Sequence, residues 1–139
     1  MKKTDVQTYL FFGGRCAEAL EFYQKAVGAE VTAVLRYRES PVPVPADLVP
    51  ANFEDKVMHA SFTVGAATLF ASDGQGGDCN FSGFRLSLAC ATEADAGRAF
   101  AALAEEGRID MPLGKTFWSP CFGMLTDKFG LGWMVTLAA

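Results

Sequence analysis

Asp73-Gly74-Gln75-Gly76-Gly77-Asp78-Cys79-Asn80-Phe81-Ser82-Gly83 reads as a linker, rich in glycine and polar side chains, and it divides the chain into two stretches with the same order of elements. Before it, Gln7 to Phe12 is short, apolar and closed by Gly13-Gly14, which suits a strand. Cys16 to Val27 sets Ala19, Leu20, Tyr23, Ala26 and Val27 at helical spacing and stops at Gly28. Glu30 to Tyr37 alternates as a second strand through Val31, Ala33 and Leu35. Arg38 to Glu54 carries Pro41, Pro43, Pro45 and Pro50, which excludes a regular helix or a central strand. Val57 to Val64 and Thr68 to Ser72 then form two strands joined at Gly65-Ala66.

Beyond the linker the pattern returns. Phe84 to Cys90 is a strand with Leu86 and Leu88 on one face. Thr92, with Asp95 three residues on, starts a helix whose stripe is Ala96, Ala99, Phe100 and Leu103 and whose stop is Gly107. Ile109 to Leu113, Phe122 to Thr126 and Trp133 to Leu137 are extended, and Asp127-Lys128-Phe129-Gly130 turns the chain between the last two. An offset of 78 residues carries Phe22 onto Phe100 and Leu10 onto Leu88. The predicted fold class is α+β in a single domain: two βαβββ modules, of about residues 6–73 and 84–139 with the linker at about 74–83, forming curved mixed sheets around a cleft. Such a cleft is a natural ligand site.

Composition narrows the function. Half of the 139 residues are hydrophobic, 12% are aromatic and 20% are charged, so disorder is excluded. A chain of this size buries roughly two-thirds of its unfolded surface and needs no staples. The net charge of −4 and the lack of any Lys/Arg cluster argue against nucleic acid and against anionic membrane as partners. No apolar run approaches the ~20 residues of a membrane helix. Met1-Lys2-Lys3-Thr4-Asp5 leads into only a short apolar stretch, so no signal peptide is expected. The cysteines at 16, 79, 90 and 121 form no C-x-x-C and read as free thiols in a reducing cytoplasm. His59 is the one histidine, which excludes any mechanism that needs two.

Three groups of residues carry a family resemblance. They are Tyr9-Leu10-Phe11-Phe12-Gly13-Gly14 with Ala19-Leu20-Glu21-Phe22-Tyr23; Met58-His59-Ala60; and, most specifically, Met111-Pro112, Thr116-Phe117-Trp118, Phe122-Gly123, Thr126-Asp127-Lys128-Phe129-Gly130 and Trp133-Met134. In these the chain resembles the vicinal oxygen chelate superfamily of glyoxalase I and the bleomycin-resistance proteins, and within it the PhnB-like subgroup. The resemblance covers nearly the whole chain and explains the Pro-rich loop least. It implies paired βαβββ modules, commonly dimeric, around a cavity in which metal-dependent members place four ligands. Those positions fall near Thr8 (or Gln7, if the register slips), His59, Phe84 and Met134. Only His59 is a good ligand: Phe84 cannot bind a divalent ion, and the Met134 thioether suits soft metals alone. Two ligands at most fall short of the three or four protein ligands such metals take. The expectation is a lost metal site and no cofactor, and the resemblance gives no support to the metal-enediolate route, because Met134 cannot take the place of the last-strand carboxylate as base or ligand.

Each candidate has a plain reading beside the functional one. His59 alternates on a strand and is either hydrogen-bonded inside the sheet or a cavity-facing binding group or base, with no carboxylate partner evident. Trp118 and Phe122 fill the core or wall the cavity and stack on a flat ligand, whereas Phe117 is assigned to the core. Trp133 has opposite parity to Met134 and should face the helix or a dimer partner. Glycines 74, 76 and 77 lack either phosphate-loop spacing and read as a hinge. Cys121 has no base nearby, and Arg36, Arg38 and Arg85 are scattered. Some relatives carry a 3-demethylubiquinone methyltransferase description, but no glycine-rich turn after a strand, followed by an acidic residue, is there to cradle S-adenosylmethionine. The expectation is a metal-free small-molecule-binding homodimer with an apolar, aromatic cavity holding Thr8, His59, Phe84, Trp118, Phe122 and Met134. The alternatives are a metal-dependent lyase, isomerase or dioxygenase using His59, and a structural dimer whose Pro-rich loop 39–50 contacts another protein.

Overall fold

In a computed structural model of the chain, which describes residues 3–45 and 47–138, the two alternating stretches become two four-stranded sheets. Met1, Lys2, Ala46 and Ala139 lie outside the described residues, and with them the charged start of the chain and one position of the Pro-rich loop. Two compact units result, one holding the residues up to Gln24 with Gly28–Cys79, the other Lys25–Val27 with the residues from Asn80 on.

The first unit contains β1 (Thr8–Phe11), α1 (Cys16–Val27), β2 (Glu30–Arg36), β3 (Val57–Val64) and β4 (Ala67–Ser72). Its strands lie in the order β1-β4-β3-β2, with β1 and β4 parallel and the other pairs antiparallel. Alternation assigns the two faces. Leu10, Ala60, Phe62, Leu69 and Ala71 form the buried one. Tyr23 of α1 covers it, with its ring stacked on Phe62 at 6.2 Å and 12° and tilted against Phe12 at 6.1 Å. Gly28 ends α1 in the left-handed region, at φ 69°, and donates to the Tyr23 carbonyl.

The start of α1 is set from far away in sequence. Arg15, at the N-cap, makes no side-chain cap. Asp73, just past β4 and 1% exposed, takes that place: its Oδ1 accepts from Gly14 N–H at 2.8 Å and Cys16 N–H at 2.7 Å, and its Oδ2 accepts from Val57 N–H at 2.8 Å. A buried carboxylate is tolerable here because three donors and a helix N-terminus compensate its charge. The glycine-rich segment also touches the end of β1. The Cys79 thiol donates to the Phe12 carbonyl at 3.0 Å, and a side chain at Gly13 would stand 2.1 Å from the Gly77 carbonyl oxygen. Between β2 and β3, Tyr37–Glu39 winds one 3-10 turn where the end of a strand was expected, and the remaining Pro-rich segment is irregular.

The second unit contains β5 (Leu86–Cys90), α2 (Glu93–Ala104), β6 (Arg108–Gly114), β7 (Phe122–Thr126) and β8 (Gly132–Leu137), in the sheet order β5-β8-β7-β6 with β5 and β8 parallel. Thr92 caps α2 by accepting from Asp95 N–H at 3.1 Å, and the stripe Ala96, Ala99, Phe100 and Leu103 is buried. Glu106, not Gly107, takes the positive φ after this helix. Gly107 is needed for closeness instead, since a Cβ there would lie 2.3 Å from the Thr126 carbonyl oxygen. Trp133 is buried on the face opposite Met134 and donates from Nε1 to Asp127 Oδ2 at 3.0 Å.

Equivalent strands start 78 residues apart as far as β6 (Thr8 and Leu86, Glu30 and Arg108) and 65 apart beyond it (Val57 and Phe122, Ala67 and Gly132). The Pro-rich segment is the excess in the first unit. No helix among the described residues is long and apolar enough to cross a membrane.

Candidate functional site

Alternation in the first sheet turns Tyr9, Phe11, His59 and Phe70 to the face away from α1, because Leu10, Ala60, Leu69 and Ala71 take the other. Register then brings them together. Tyr9 lies opposite Phe70, and Phe70 lies opposite Ser61, two residues from His59. The Tyr9 ring is 4.9 Å from Phe11, 6.2 Å from Phe70 and 5.7 Å from His59, and His59 is 5.3 Å from Phe70. Phe11 and Tyr9 are exposed, and His59 and Phe70 half-buried.

The Tyr9 hydroxyl and His59 Nδ1 share a hydrogen bond at 3.1 Å. When the phenol donates, Nδ1 is the acceptor and Nε2 carries the ring proton. The pair therefore offers a polar, hydrogen-bonding edge within a cluster of aromatic rings tilted 32–52° to one another. The partner of His59 is thus a phenol, where sequence had offered no carboxylate.

Thr8 does not join this group: it lies opposite Leu69 and shares the parity of Leu10, whereas Gln7 has the parity of Tyr9. Phe84 and Met134 line a groove in the second unit, with Met134 opposite Ser87 on one side and Met124 on the other. Trp118 and Phe122 meet edge to face at 5.5 Å, also in the second unit. Phe117 is not core. It is 97% exposed and joins Trp118 at 4.7 Å, because the 115–121 connection carries both rings outward.

Arg36 and Arg38 do converge, both on Asp55. Arg85 meets Arg108 at Asp110, an acceptor that carried no signal in the sequence. The Tyr9-Phe11 spacing opposite Phe70 was a usable signal for the aromatic face, but its strand pairing was not in view.

The superfamily's metal chemistry needs several nitrogen or oxygen ligands in one place. Among the described residues no three His, Cys, Asp or Glu side chains come together as a metal-holding group. Neither Cys16 nor Cys90 offers a ready nucleophile. Burial first, and then the Asp73 carboxylate, push the Cys16 thiol up to about 12, while burial also raises Cys90.

Residues 4–136 match the family described as 3-demethylubiquinone-9 3-methyltransferase. Protein YjdN of Escherichia coli K12 is 33% identical over 135 residues, which cover 93% of this chain and 92% of that one. Among solved structures, protein PA1353 from Pseudomonas aeruginosa is 40% identical with a TM-score of 0.84, covering 97% of this chain and 98% of its own. A PhnB protein from Bacillus cereus, which carries the methyltransferase description, is 31% identical with a TM-score of 0.80, covering 97% and 100%. The described residues give that description little support. Gly13 and Gly14 do follow β1, but the Gly14 N–H is taken by Asp73, and each sheet has a single parallel pair where a nucleotide-type cradle uses a parallel, helix-flanked sheet.

Proposed function

We propose, from the premise that this chain belongs to the PhnB-like family of the vicinal oxygen chelate superfamily, that it is a small-molecule-binding protein whose first-sheet face takes a flat, partly apolar ligand without a metal or other cofactor. The observation that carries the reading is the Tyr9, Phe11, His59 and Phe70 cluster, an accessible aromatic surface with one hydrogen-bonding edge. Aromatic contacts of this kind add roughly 0.5–1.5 kcal/mol each beyond the area they bury. A ligand laid across several of them gains affinity with no charged ligand set. A cytoplasmic homodimer belongs to the same proposal, whereas Thr8, with the parity of Leu10, and Phe84, Trp118, Phe122 and Met134, in the second unit, are not counted among the contacts of this face.

The test is a thermal-shift screen of flat, partly apolar compounds on the chelator-treated protein. Hits are repeated on Tyr9→Phe, which removes the hydroxyl and keeps the ring, and on His59→Ala. Stabilisation that survives chelation and falls in both variants supports the reading. Hits that act only with added divalent ions, or are indifferent to both substitutions, overturn it and favour the metal-dependent lyase, isomerase or dioxygenase.

A further inference from the structure

The second unit carries a groove of about 510 Å³ whose lining includes Phe81, Phe84, Arg85, Arg108, Thr126 and Met134. We propose that it is a binding site for a small organic oxyanion, a carboxylate, phosphate or phosphonate joined to an apolar group, held by Arg85 and Arg108. The proposal is argued from second-unit residues alone and stands without the reading of the first-sheet face.

Charge is the first reason. On a chain of net charge −4, the charged residues lining this groove are both arginines. They share one carboxylate. Asp110 Oδ1 accepts from Arg108 Nε at 2.7 Å, and its Oδ2 accepts from Arg85 Nη1 at 3.1 Å and from the Thr126 hydroxyl at 2.7 Å. Two guanidinium groups on one carboxylate leave one positive charge uncompensated in this cluster.

Donor inventory is the second. Each guanidinium has five N–H donors in a planar fork. Arg85 spends Nη1 on Asp110 and on the Leu125 carbonyl at 2.9 Å, while Arg108 spends Nε on Asp110 and Nη2 on the Thr126 hydroxyl at 3.2 Å. Among the described residues Arg85 Nε and Nη2 and Arg108 Nη1 have no acceptor. Charge-assisted bonds from such a pair are the strong kind and favour oxyanions.

The third reason is that the groove is built to hold the pair. A Cβ at Gly132 would stand 2.9 Å from Arg85 Cγ and 3.2 Å from its Nη1, so the side chain lies over a position that only glycine leaves open. Bonds from Thr126 and Arg108 hold the Asp110 carboxyl down at about 2, which keeps the bridge ionised at any ordinary pH. Beside the arginines, Phe81 and Phe84 meet edge to face at 6.5 Å with Met134 in the same lining, an apolar wall for the body of the ligand.

The experiment is an amide NMR titration of the full chain with benzoate, its neutral isostere benzamide, phenylphosphonate and inorganic phosphate. Arg108→Gln is the test variant, since a side chain 72% exposed can be changed without unfolding the sheet. Arg98→Gln, on the exposed side of α2, is the control. Benzoate or phenylphosphonate should move the Gly83, Gly130 and Gly132 amides saturably, and the tighter of the two names the oxyanion. Benzamide should bind about tenfold more weakly, and Arg108→Gln should cost a similar factor, as expected for one charge-assisted bond. Arg98→Gln should leave affinity unchanged. Benzamide binding as well as benzoate, inorganic phosphate matching phenylphosphonate, shifts confined to other surfaces, or full affinity in Arg108→Gln would each overturn the assignment.

Discussion

Replacing Asp73 by Asn tests how the first unit is tied together. The amide keeps an oxygen for Gly14 and Cys16 but turns an NH2 toward the Val57 N–H, so one of the three buried bonds becomes two opposed donors. A hydrogen bond to a charged acceptor contributes roughly 1.5–3 kcal/mol. Removing the carboxylate charge from the start of α1 adds about 0.5–1 kcal/mol. The expected loss is therefore about 3 kcal/mol, near 10 °C in Tm for a chain of this length. Asp73→Ala strands all three donors and should cost about 5 kcal/mol, a large share of the ~5–15 kcal/mol that holds a domain together. Arg15→Ala, at the formal N-cap, should cost under about 0.5 kcal/mol because its pair with Glu18 lies on the surface. Urea unfolding followed by far-UV circular dichroism measures all three, and amide exchange at Gly14, Cys16 and Val57 localises the effect. An Asp73→Asn loss below about 1 kcal/mol with an unchanged m value, or an Arg15→Ala loss as large as that of Asp73→Asn, would refute the reasoning.

Glycines should separate by what surrounds them. Gly97 lies inside α2 with nothing near its missing Cβ, so Gly97→Ala should stabilise by about 0.5–1 kcal/mol, whereas Gly107→Ala, forced against the Thr126 carbonyl, should destabilise by about 1–3 kcal/mol; chemical denaturation reads both, and a shared sign would contradict the contacts. Asp110, held at about 2 against an ordinary 3.8, contributes stability that is present above pH 4 and is lost as pH falls through 3.8 toward 2. The stability gap between wild type and Asp110→Asn should accordingly be wide at pH 6 and narrow by pH 2, and a gap that widens on acidification would be inconsistent with that sign.

Most of the fold was legible because its signals are local. Apolar spacing with Gly28 gave both ends of α1, Thr92 with Asp95 gave the start of α2, and the Asp127-Gly130 turn lies where turn chemistry places it, with Gly130 N–H on the Asp127 carbonyl. What escaped was non-local. Asp73 stood at the edge of an apparent linker, yet it caps a helix that begins 57 residues earlier, and no local pattern encodes such a bond. Gly107 looked like a helix stop, but its constraint comes from β7. Phe117 looked like core on hydrophobicity alone, since exposure of a loop tip depends on where its strands end.

The site followed the same division. His59 was marked as the only histidine, but Tyr9 became its partner only through pairing across β1, β4 and β3. Arg85, Arg108 and Asp110 likewise meet only once the second sheet is formed.

The most direct measurement is the metal content of protein purified without chelator or affinity tag, together with Tm with and without added divalent ions, for wild type and His59→Ala. The expected result is far less than one metal per chain and no ion-dependent shift in either protein. About one metal per chain, with a stabilisation that disappears in His59→Ala, would contradict metal-free binding at the Tyr9, His59 and Phe70 face.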